Sequence, residues 1–222
     1  LFAPTKKIYV GDKNKIKQAL KYNCVLASNH RWMCDIIFIY MHFLSRRVRV
    51  VTKDTIWNAK GIRYGLNHCG LIKYRSTSIN GVDYLCYKEM IETLEGRGVV
   101  SIFPEGHLET GDVLESFEDG VAAISMTTNS PIIPFLFKDT YKIFKKNVVY
   151  IGEPIYPSEG KINRKTVKQF SDELFNKMKQ DIKGKCTYIE LVSSTKDYEK
   201  IINFYRNILD MNLWSIMFYK KV

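Results

Sequence analysis

Apolar residues along this chain fall into short, nearly continuous runs, separated by longer stretches in which they recur every three or four positions. The runs cover 24–27, 48–51, 70–74, 99–103, 132–136 and 148–151. Short runs rich in β-branched residues suit strands buried on both faces. Between them, residues 33–44, 53–67, 84–94 and 117–128 are predicted as helices, the third broken by Gly98. Further on, Val167, Phe170, Leu174 and Met178 mark an amphipathic helix. The run 99–103 is the clearest central strand and stops at Pro104. Pro134 lacks an N–H, which places 132–136 at a sheet edge or breaks that strand at the proline.

Strands alternating with helices through 24–151 predict an α/β fold. The expected form is a single domain with a mixed, mostly parallel sheet, helices on both faces and functional loops leaving the strand ends. Residues 1–185 are assigned to this domain. Residues 186–222 are expected to be a C-terminal helical appendage packed on it.

A chain of 222 residues suffices for one sizeable core. Charge changes the picture more than length does. The net charge is +11, and residues 1–60 carry twelve Lys and Arg against three Asp and Glu. A basic end beside the apolar run 36–44 suits anionic lipid headgroups or phosphorylated substrates. Nucleic acid is disfavoured, because Cys2His2 spacing, an RRM-like aromatic signature and Lys/Arg runs in repeated register are all missing. No run approaches the ~18 apolar residues of a membrane span, and the N-terminus does not resemble a secretory signal. The first residue is Leu1 rather than a methionine, so an upstream element, an anchor included, is left open. The expected location is cytoplasmic and peripheral, on the inner face of the cell membrane. Five cysteines without C-x-x-C spacing are expected to be mainly buried thiols of a reducing compartment.

Three loops carry candidate chemistry. His30 leaves the first apolar run, and Asp35 follows five residues later at a predicted helix start. If the chain turns back there, Asp35 accepts from one imidazole nitrogen and fixes the other as a proton acceptor. Such a base deprotonates a hydroxyl as it attacks a carbonyl and returns the proton to the leaving group. The bland alternative, a His and an Asp that merely cap a helix, has equal weight on spacing alone. Cys34 adjoins Asp35 as a possible nucleophile, but a helical neighbour points elsewhere.

The second loop is Phe103-Pro104-Glu105-Gly106, where a sharp turn exposes backbone N–H groups suited to an anion. Glu105, buried near the sheet end, orders that loop by accepting backbone hydrogen bonds; a proton-shuttle role is the lesser reading. The third is Gly70 to Arg75, a strand-like stretch ending in a guanidinium. That group suits bidentate phosphate binding, although a solvated surface arginine is the commoner case. Lys73 shares its face if the strand continues.

These blocks in this order resemble the glycerophospholipid acyltransferase family, which includes 1-acyl-glycerol-3-phosphate acyltransferase. Asn29-His30 with Asp35, Gly70 through Arg75, Phe103 through Gly106 and Pro131-Ile132-Ile133-Pro134 match its four motifs, and the likeness spans about residues 7–155. It implies His30 as general base, Asp35 as its orienting partner and Arg75 as a ligand of the acceptor phosphate. Glu105 and Gly106 would shape the acceptor site. The implied donor is acyl-CoA or acyl carrier protein, the acceptor is lysophospholipid-like, and neither a metal nor a redox cofactor is implied. The chain departs from the family pattern after the third block, where His107-Leu108-Glu109 replaces Thr-Arg-Ser and removes an expected phosphate ligand. A different acceptor (a lysophospholipid, glycerol 3-phosphate or an amino-lipid) and a non-catalytic lipid-binding relative are the competing readings.

Overall fold

The computed structural model describes residues 5–30, 35–43, 46–58, 69–75, 83–106, 117–138, 147–158 and 160–182. In chain order the elements are β1 (Thr5–Tyr9), α1 (Lys13–Ala19), β2 (Cys24–Ala27), α2 (Asp35–His42) and β3 (Val48–Lys53). A 3-10 turn (Asp54–Asn58) follows, then β4 (Ile72–Tyr74), α3 (Tyr84–Glu95), β5 (Val99–Ile102) and α4 (Gly120–Thr128). The described chain closes with β6 (Ile132–Phe137), β7 (Asn147–Ile151) and α5 (Arg164–Ile182).

The strands form one sheet in the order β1-β7-β6-β2-β5-β3-β4. From β6 to β4 every neighbour is parallel. β7 runs antiparallel to β6, and β1 parallels β7. The carboxyl ends of β2, β5, β3 and β4 therefore emerge on one edge of the sheet. The loops after β2, β5 and β4 are the three singled out by their chemistry.

Side chains alternate across the sheet with period two, as pleating requires. Val25, Ala27, Val100, Ile132 and Leu136 pack under α3, α4 and α5, where Leu94, Ile124, Phe170, Leu174 and Met178 are buried. Cys24, Leu26, Val99, Ile133 and Phe135 face the opposite layer, with Ile16 of α1 and Phe38 and Ile39 of α2. Each fully buried Leu, Ile or Phe stabilises the fold by about 1.5–3 kcal/mol. The strands beneath the site are thus anchored on both faces.

Several expectations need correction. β6 is interior, between β2 and β7, and all its residues are buried. The proline is tolerated because the strand changes partner there: pairing with β2 ends at Pro134, and pairing with β7 begins at Phe135. The helix predicted from Lys53 is a 3-10 turn over Asp54–Asn58, with Lys53 the last residue of β3; residues 59–67 lie outside the described residues. α4 begins at Gly120 rather than at Phe117. β1 and α1 carry no strong apolar run and escaped the sequence pattern. Residues 107–116 and the proposed appendage 186–222 lie outside the described residues.

Cys24 and Cys86 are buried and Cys69 is exposed, while Cys34 and Cys186 lie outside the described residues. Burial pushes the Cys24 thiol up to about 12, with Arg46 opposing. Burial, assisted by Asp83 and Glu89, pushes Cys86 up to about 12. Among the described residues no helix is long and apolar enough to cross a membrane.

Candidate active site

β2 is held between β5 and β6, and the order continues past its last residue. The Ser28 N–H donates to Ile102 O at 3.1 Å. Asn29 is fully buried. Its Nδ2 donates to Phe137 O at 3.1 Å, and its Oδ1 accepts from Phe137 N at 2.8 Å. A side-chain amide offers the same donor and acceptor as a peptide group. Asn29 thus continues the contact with β6 after the backbone ladder has stopped at Pro134, and it fixes where His30 emerges.

Three contacts then restrain His30. Its backbone N–H donates to Glu105 Oε2 at 3.1 Å. Its ring stacks on Phe103, with centroids 4.0 Å apart and planes 21° from parallel. Its Nδ1 lies 3.2 Å from Asp35 Oδ2. Asp35 opens α2, where aligned peptide dipoles favour negative charge. The Asp35 side chain is 2% exposed and that of His30 18%. With Nδ1–H donating to the carboxylate, Nε2 is the accepting nitrogen, and among the described residues nothing bonds to it. The pair has the geometry of a general base with a fixed tautomer.

Glu105 is buried and ties the end of β5 to the end of β2 through the His30 N–H. Its loop is ordered as well by the Gly106 N–H, which donates to Phe103 O at 3.1 Å, and by the Glu118 N–H, which donates to Pro104 O at 2.8 Å. Gly106 has φ +70°, a conformation costly for residues with a Cβ. Its N–H is engaged within the turn, so that group is not the anion donor the sequence suggested. His107, Leu108 and Glu109 lie outside the described residues.

Arg75 leaves β4 on the same edge, three strands from β2, or roughly 14 Å at ~4.8 Å per strand. It does not touch His30. Its N–H donates to Asp83 Oδ2 at 2.7 Å, and its guanidinium lies 3.3 Å from both carboxylate oxygens. Asp83 also caps α3, accepting from the N–H groups of Leu85 and Cys86. The Arg75 side chain is 39% exposed, so it remains open to a ligand on its outer side. Lys73 is half-buried in β4, paired through its backbone register with Thr52.

Burial of Asp83 acts to raise its pKa, but the N–H groups of Cys86 and Arg75 and the Arg75 charge together outweigh it. The carboxyl is held below its ordinary range. Asp83 therefore binds a proton less readily folded than unfolded, and its contribution is present above the ordinary carboxylate range and lost as pH falls through the folded value. Replacing Asp83 with alanine is expected to cost about 1–2 kcal/mol at pH 7, the usual worth of such a cap. Urea unfolding of parent and variant at pH 7 and below pH 3 checks this: the difference should shrink in acid.

Sequence reasoning found His30, Asp35 and Glu105 but gave no positioning role to Asn29, Phe103 or Phe137. Asn29 and Phe103 lie within the quoted motifs, and Phe137 directly follows the run 132–136.

The fold and this site define an acyltransferase. The acyltransferase family model matches residues 7–138, and the chain belongs to that family. Among solved structures, its fold is similar to that of the 1-acyl-sn-glycerophosphate (LPA) acyltransferase PlsC from Thermotoga maritima. The TM-score is 0.57 at 19% identity, covering 81% of this chain and 73% of the other. No curated protein matches the chain.

Proposed function

We propose that this acyltransferase moves a fatty-acyl group from acyl-CoA or acyl carrier protein to the free hydroxyl of 1-acyl-glycerol 3-phosphate, at an anionic membrane surface. The observation that carries the mechanism is the 3.2 Å contact from His30 Nδ1 to Asp35, with no bond to Nε2 among the described residues. Nε2 takes the hydroxyl proton as the oxygen attacks the thioester carbonyl. The imidazolium, stabilised by Asp35, then returns the proton to the departing thiolate. The acceptor of the Thermotoga relative supports the choice of a lysophosphatidate-like substrate. Incubation with a panel of lyso-acceptors and both donor types, with products identified by mass spectrometry, tests it. Acylation of uncharged or zwitterionic acceptors alone would reject the phosphate-bearing acceptor.

Arg75 is the proposed ligand of the acceptor phosphate, with Lys73 as second cation and Glu105 and Gly106 shaping the pocket. Arg75→Ala is expected to raise KM for a phosphate-monoester acceptor at least ~10-fold, the size of one charge-assisted hydrogen bond, and to move donor KM far less. Loss of the Asp83 contact alone would move both constants alike. A second reading, a zwitterionic acceptor, draws on the missing arginine at Leu108 and on the Asp83 carboxylate that already offsets Arg75. Leu108→Arg should improve use of lysophosphatidate under the first reading and leave it unchanged under the second.

A further inference from the structure

A concave feature lies on the α1 and α2 face of the sheet, lined by none of the residues assigned above. It is a groove of about 470 Å³ whose wall carries Lys7, Lys17, Lys21 and Arg46 and no acidic side chain. Its apolar lining includes the partly exposed Tyr9 of β1 and Leu20, set over the buried Phe135 and Ile151. Among the described residues β1 is the edge strand of the sheet, so the groove lies beside the margin of the described sheet.

The four positive charges are not neutralised from within the described residues. Arg46 donates to the carbonyl oxygens of Leu20, Tyr22 and Arg97, which fixes the guanidinium without cancelling its charge. Among the described residues Lys7 Nζ reaches a carbonyl oxygen alone, that of His42 at 3.4 Å. Lys17 and Lys21 are exposed and form no ion pair among the described residues. A concentration of like charge opposes folding through its own repulsion, and an anion seated among these groups would relieve it.

The ligand's chemistry follows from the two halves of the lining. A bare phosphate would use the cations and leave the partly exposed Tyr9 and Leu20 idle. Cations around an apolar floor match a phosphate that carries hydrocarbon, the pattern of interfacial membrane contacts. We propose that this groove seats the phosphate headgroup of an anionic membrane phospholipid, with its apolar floor against the first carbons of the chains. This rests on the peripheral membrane docking proposed above and gives that docking a place distinct from the reaction centre.

Three forms of the full chain separate the possibilities. One is the parent, one carries Lys7→Gln, Lys17→Gln and Lys21→Gln, and a control removes equal charge elsewhere through Lys88→Gln, Lys161→Gln and Lys165→Gln. Each is co-sedimented with vesicles of phosphatidylcholine alone and of phosphatidylcholine mixed with phosphatidylglycerol. The groove variant should lose at least ~10-fold in affinity for the mixed vesicles, the control much less, and a Lys→Arg triple in the groove should bind as the parent does. Acyl transfer to a short-chain, water-soluble acceptor should stay within threefold in all forms. Equal losses in groove variant and control would overturn the groove while leaving peripheral docking intact. A parent that ignores anionic vesicles would overturn docking and groove together, with acyl transfer still standing. Inorganic phosphate binding to the parent but not to the groove variant, with both forms equally bound to the mixed vesicles, would make the ligand a free phosphate and reject the lipid.

Discussion

Replacing His30 with alanine is expected to lower kcat at least ~100-fold, the ordinary size of a general-base contribution. The variant should remain folded, because the restraints that shape the loop do not depend on the ring alone. The Glu105 carboxylate accepts from the backbone N–H of residue 30, which alanine retains. Asn29 keeps both bonds to Phe137. What disappears is the nitrogen proposed to take the hydroxyl proton, together with the ring stacked on Phe103. Far-UV circular dichroism and thermal unfolding check the fold, and steady-state kinetics with acyl-CoA check the rate. Activity within threefold of the parent would remove His30 from the mechanism and favour a purely structural role for the pair.

The strands and helices beneath the site were legible because burial on both faces writes itself into local sequence. β2 and β5 are short apolar runs, and α3 and α5 carry their core residues at helical spacing. What local pattern does not carry is the identity of neighbours. Pro134 correctly signalled an interrupted ladder, but whether the strand lies at an edge depends on β7, whose pairing begins one residue later. β1 is held by parallel pairing to β7, more than 140 positions away in sequence, and its own residues are mostly polar.

The site shows the same division. His30 and Asp35 are close in sequence and their contact followed from a turn back of the chain. The bond from His30 to Glu105 spans 75 positions and exists because β2 and β5 are adjacent. Arg75 was read as a strand-end cation, and it is one. Its pairing to Asp83 was hidden, because the same aspartate serves as the helix cap eight residues on.

Asp35→Asn is the sharper test of the pair, since it preserves shape while removing charge. The side chain is nearly isosteric and sits at the first position of α2, so packing and helix entry should change little. Asparagine can present its oxygen to Nδ1–H, which keeps the tautomer but no longer compensates the imidazolium formed when Nε2 takes the hydroxyl proton. It can instead present its NH₂ to Nδ1, which moves the ring proton to Nε2 and abolishes the base. Either way the loss falls on the chemical step. In a serine-protease triad the same exchange costs about 10⁴ in kcat. Here, with an Nδ1–Oδ2 separation of 3.2 Å, a fall of ~10²–10⁴ is expected. KM for donor and acceptor should stay within threefold, because Asp35 is buried behind the ring and faces neither substrate in this mechanism. A helix-capping role predicts the reverse: Asn is as good as Asp at that task, so both kcat and thermal stability would survive the exchange. Single-turnover measurements with preformed acyl-CoA complex isolate the acyl-transfer step, and a rate there within threefold of the parent would reduce Asp35 to a structural residue.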